Sequence, residues 1–191
     1  MASASKSATG VAPHKKLTIR DVKALGLMLA EVSDLYPLVF RTERDFYPLV
    51  MAYLSGRVPG VDVEKHVSKG KIDFALKGNN PTALELAVQP RRLSDPDDED
   101  LRFAGHTHAN VLHATQNESE LKKLANADAY KTRFLLLVDL RGSYGKDALR
   151  ASYESAGTRL RLKRPVRIVF VGPSTAVDFQ TPRRARAKRE R

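Results

Sequence analysis

The chain has 191 residues, a formal net charge of +11, and 42% hydrophobic against 29% charged residues. That is enough for one domain with a real core and loose ends, and its basic balance favours polyanionic partners, nucleic acid above all. It contains no cysteine, which excludes disulfides and thiolate metal sites, and no apolar run long enough to cross a bilayer.

Residues 1–16 (MASASKSATGVAPHKK) are rich in Ser and Ala and have no apolar centre, so they are not a secretory signal. They are expected to be a disordered arm, although an organellar transit peptide shares that composition. Residues 180–191 are expected to be a basic tail. Its last nine residues, RRARAKRER, carry six positive charges and one negative. The expected domain therefore spans residues 17–179.

Within that domain, Ile19, Val22, Leu25, Leu29 and Val32 recur at helical spacing, and Pro37 closes the helix. Thr42 and Asp45 form a capping pair for a second helix through Leu54, with Pro48 setting a later start or a bend. Gly56 and Pro59–Gly60 end it. Residues 61–67 (VDVEKHV) and 71–77 (KIDFALK) alternate like two strands of a hairpin. In the second, Ile72, Phe74 and Leu76 are expected on one face, and Lys71, Asp73 and Lys77 on the other. A third strand, TALELAVQ (82–89), is closed by Pro90.

An acidic stretch with Asp95, Asp97, Asp98, Glu99 and Asp100 follows, read as a solvated loop favouring the start of the next helix. A helix is expected over 100–128, a buried strand over 134–140 (FLLLVDL), an amphipathic helix over 145–162 and a buried strand over 166–172. The order predicts an α/β fold with a mixed central sheet flanked by helices.

Glu43 near a helix start, Asp73 on the second hairpin strand and Glu85 on the next strand resemble the PD-(D/E)XK nuclease superfamily, which has the restriction-endonuclease-like fold. The resemblance covers about two thirds of the chain, from Thr42 to Gly172. It implies metal-dependent hydrolysis of DNA phosphodiesters, with Asp73 and Glu85 as ligands of Mg²⁺ or Mn²⁺ and Glu43 supporting a ligand or water. Two carboxylates facing each other across adjacent strands make an oxygen-rich site suited to such a cation. The family's lysine two residues after the glutamate is missing, and Ala87 stands there. Three explanations remain open. Lys71 takes the role, Gln89 orients the water, or the domain binds without cutting.

Arg91 and Arg92 leave the third strand at the mouth of the expected site, as candidates for gripping a phosphate. Lys146, Arg150, Arg159, Arg161, Lys163 and Arg164 are candidates for a face that tracks a nucleic-acid backbone. His106, His108 and His113 do not share a helical face, which argues against one zinc site. DNA is the expected partner, RNA the second candidate, and no membrane is expected. A homodimer and an intracellular location, in the cytoplasm or nucleoid, fit the family. The rival functions are a non-catalytic nucleic-acid-binding or scaffold protein and an α/β enzyme acting on a small phosphorylated substrate.

Overall fold

A computed structural model describes residues 16–67, 70–90 and 111–182. Six strands form one sheet in sequence order: β1 (Val61–Val67), β2 (Gly70–Leu76), β3 (Thr82–Gln89), β4 (Thr132–Asp139), β5 (Arg167–Gly172) and β6 (Thr175–Gln180). β2 runs antiparallel to both neighbours. β3, β4 and β5 are parallel, and β6 returns antiparallel to β5. The parallel links need crossovers, which α3 (Glu118–Asn126) and α4 (Lys146–Arg159) supply. The chain is thus α/β with a six-stranded mixed sheet flanked by helices. No helix among the described residues is long and apolar enough to cross a membrane.

Each sheet face carries its own core. α1 (Ile19–Leu35) and α2 (Tyr47–Ser55) cover one face, packing Val22, Leu25, Leu29, Val50 and Leu54 on Leu84, Leu86, Leu136 and Val171. α3 and α4 cover the other, packing Leu121, Leu124, Leu149 and Tyr153 on Ala83, Ala87, Leu135 and Leu137. β4 and β5 are buried on both faces, and their continuous apolar sequence reflects this.

The first helix begins as its sequence requires. Thr18 accepts from the Asp21 amide, and Asp21 accepts from Thr18 in return, which satisfies two donors that helix geometry leaves unpaired. Gly26 faces Val171, and a Cβ there would stand 2.6 Å from Val171 Cγ2, so this glycine sets how closely α1 approaches β5.

The second helical segment divides. Thr42 caps a 3-10 turn over Glu43–Phe46, and α2 starts at Tyr47 with Pro48 in its first turn, where a missing amide costs nothing.

Four sequence expectations are corrected. Ile72 packs into the core under α3, whereas Phe74 and Leu76 pack under α1 and α2, so alternation along β2 breaks at Asp73. Opposite this break, Glu64 adopts a left-handed backbone with φ 48°. The helix expected over 100–128 is confined, among the described residues, to Glu118–Asn126, after turns over 111–117. The fold also extends past residue 179. β6 runs to Gln180, and the Thr181 amide and hydroxyl both pair with the backbone of Val166. Finally, β6 itself was not expected. It follows β5 through a two-residue turn at Pro173–Ser174, with Gly172 paired to Thr175.

Candidate active site

The hydrogen-bonded ladder between β2 and β3 ends at Phe74↔Leu84. Beyond it the strands part, and the Leu86 amide would lose its partner in the sheet. The Asp73 carboxylate takes that place, accepting from Leu86 N–H at 2.9 Å. A strand amide is thereby satisfied by a side chain, and the parted strands open a cavity of about 270 Å³. Glu43, Asp73, Glu85, Ala87, Glu120 and Lys123 are among the residues lining it.

Each group arrives from a different element. Glu43 is the first residue of the 3-10 turn, held over β3 by Phe46 in the core. Asp73 sits where β2 breaks its alternation, and Glu85 lies in the middle of β3, only 1% exposed. Lys123 and Glu120 project from α3, whose Leu121 and Leu124 anchor it in the core. Lys123 Nζ is 2.9 Å from Glu85 Oε1, within ion-pair distance.

The crowding of acids shows in their protonation. Burial first, and then the negative charge of Asp73, push Glu85 up to about 9, with Lys123 pulling the other way. The same two causes push Glu43 up to about 8, with Glu120 adding to them, while the Val88 backbone amide and Lys123 oppose. Tyr47, beside Asp73, is raised well above its ordinary value, again by burial and then by Asp73. Four carboxylates and one ammonium therefore share a cavity in which burial and mutual repulsion favour the protonated forms of Glu43 and Glu85.

This donor set fits a hard divalent cation. Among the described residues, no three or more His, Asp or Glu side chains converge into a ready-made cage. Magnesium does not require one, because it is commonly held by one or two carboxylates, waters and substrate phosphate oxygens. Glu85, paired with Lys123, and the adjacent Asp73 supply two carboxylates of that kind.

The structure thus brings Glu43, Asp73 and Glu85 together and leaves the other expected catalytic residues outside the lining. Lys71 is half exposed and pairs with Glu64 at 3.2 Å. Gln89 is buried, with its Oε1 3.5 Å from the Tyr144 hydroxyl. Sequence reasoning missed Lys123 and Glu120. Their signal was the stretch NESELKKLANAD, in which charged residues flank the apolar stripe of Leu121 and Leu124 on the helix after the Glu85 strand.

Of the residues expected to contact nucleic acid, Lys146 and Arg150 are exposed on α4, with Arg150 lying 5.7 Å from the Phe179 ring centre. Arg159 pairs with Glu118, and Arg164 with Asp128 at 3.1 Å. Arg161 and Lys163 are exposed on the turn after α4. Arg91, Arg92, His106, His108 and the acidic run 95–100 lie outside the described residues. His113 is half-buried, with its Nδ1 2.9 Å from the Thr115 hydroxyl. The chain matches no protein-family model and no curated protein.

Proposed function

We propose that the chain is a metal-dependent nuclease of PD-(D/E)XK type, hydrolysing DNA phosphodiesters in the cavity between β2, β3 and α3. The observation that carries this reading is the meeting of Glu43, Asp73, Glu85 and Lys123 in one cavity. An acid from an early helical turn, an aspartate on the second hairpin strand and a glutamate on the next strand are the arrangement that the family resemblance implies. The family's lysine is missing at Ala87, and α3 supplies an ammonium beside the same glutamate instead.

In this reading Asp73 and Glu85 would hold magnesium or manganese. The cation would lower the pKa of a bound water and neutralise charge building on the phosphate. Asp73 stays oriented by the Leu86 amide, and Glu43 holds a water or second ligand at the cavity's edge. Lys123 positions the attacking water against the phosphate, the role the lysine has in the family. A cation held there would favour the anionic forms of Glu43 and Glu85, because the ligand form of a carboxyl is its anion.

The test is cleavage of supercoiled and branched DNA with Mg²⁺ or Mn²⁺, beside Asp73→Ala and Glu85→Ala. Cutting that disappears in both variants and in EDTA supports the nuclease. A second reading, a nucleic-acid-binding protein that does not cut, is favoured by one observation: Asp73 and Glu85 already have internal partners in Leu86 and Lys123. DNA binding without cutting, unchanged by EDTA and by both variants, would establish that reading. Preferential cutting of RNA would keep the chemistry and change the substrate.

A further inference from the structure

A second cavity, of about 520 Å³, lies at the amino ends of β4 and β5 and shares no lining residue with the carboxylate cavity. Five cationic residues line it: Lys131, Arg133, Lys163, Arg164 and Arg167. The fold gathers them from the start of β4, the turn after α4 and the start of β5. Among the described residues, two carboxylates offset them. Asp128 lies 3.1 Å from Arg164, and Asp178 lies 3.7 Å from Arg167 while also pairing with Lys23 at 2.7 Å.

Arg133 separates this cavity from an ordinary basic surface, because it is only 6% exposed. Its Nη2 donates to the Ala127 carbonyl at 2.8 Å and its Nη1 to the Lys131 carbonyl at 3.5 Å. Among the described residues its Nε has no acceptor, and no carboxylate forms an ion pair with it. A buried guanidinium ordinarily has an anionic partner, since burying an uncompensated charge is costly. Burial, followed by repulsion from Arg164, holds Arg133 below its ordinary value against the opposing pull of Asp128.

We infer that this cavity binds a phosphate group, with Arg133 at its floor and Lys163 and Arg164 at its exposed rim. A tetrahedral dianion accepts from several donors at once, and the planar fork of arginine suits it better than an isolated ammonium does. The phosphate comes either from a nucleic-acid backbone or from free phosphate and small phosphorylated molecules. Because the two cavities have no residue in common, the inference does not depend on catalysis in the carboxylate cavity.

The test is calorimetric titration of the full chain with inorganic phosphate, in EDTA and at low salt, so that neither metal nor cleavage enters. One saturable site is expected. Arg133→Gln, and separately the double variant Lys163→Ala/Arg164→Ala, should each weaken it about tenfold or more, while Asp73→Asn leaves it unchanged. Arg133 also ties Ala127 to β4, so its variant can fail to fold. The exposed pair then carries the test, with folding checked by circular dichroism.

A competition arm with a short DNA duplex separates the sources. Displacement of phosphate, with duplex affinity falling in the same variants, identifies a backbone phosphate. Retention of phosphate beside bound duplex identifies a free or small phosphorylated ligand. An absence of saturable binding, or equal affinity in the folded double variant, would overturn the inference.

Discussion

Glu85 is 1% exposed and has the Lys123 ammonium 2.9 Å away, on a cavity wall it shares with Asp73. Folding places this carboxyl where burial and a neighbouring acid both favour its protonated form. Its value rises to about 9, and that of Glu43 to about 8. The consequence for stability has a definite sign. In EDTA the folded state binds more protons than the unfolded chain, so the stabilising contribution is complete below about pH 4.5 and is lost as pH rises through about 8 to 9. Thermal unfolding followed across that range should show a falling Tm. Glu85→Gln, which fixes the neutral form, should flatten the fall, and a slope equal to wild type in that variant would count against this assignment. Addition of Mg²⁺ at pH 7.5 should release on the order of one to two protons, measurable by calorimetry in buffers of different ionisation enthalpy.

Among the elements, the sequence told most where the physics is local. TALELAVQ lies between two prolines and forms β3 over the same eight residues, and the Thr42–Asp45 pair caps the turn that carries Glu43. Lys123 was not legible, because its nearness to Glu85 depends on how α3 crosses the sheet, a long-range fact that periodicity does not encode. The break at Asp73 was hidden for a related reason. KIDFALK alternates perfectly as a string, and only the parting of β2 from β3 sends Ile72 and Phe74 into different cores. β6 was missed because TAVDFQ is short and half-buried, and is held by its pairing with β5. Close packing between elements also yields a prediction. Gly26→Ala forces α1 away from Val171 and should cost about 1–3 kcal/mol in urea unfolding. A stability within a few tenths of wild type would show that α1 can shift at little cost.

For the whole molecule, the charge of +11 accompanies two cavities of opposite character, one lined by carboxylates and one by cationic side chains. The RRARAKRER segment contributes much of the net charge and lies outside the described residues. If it contacts phosphates, its removal should weaken DNA binding and flatten the dependence of log affinity on log salt, because fewer counterions are released. The rate of cleavage at saturating DNA should remain unchanged, since the carboxylate cavity is built from Glu43, β2, β3 and α3. An unaltered salt slope would assign the electrostatic contact to the folded domain instead.

In the proposed nuclease Lys123 takes the place of the lysine that Ala87 leaves out, and single-turnover DNA cleavage by Lys123→Met tests this. Lys123→Met should lose about 10²–10⁴ in rate with DNA binding retained, and recover in part when Ala87→Lys is added to it. Cleavage by Lys123→Met at the wild-type rate would contradict it.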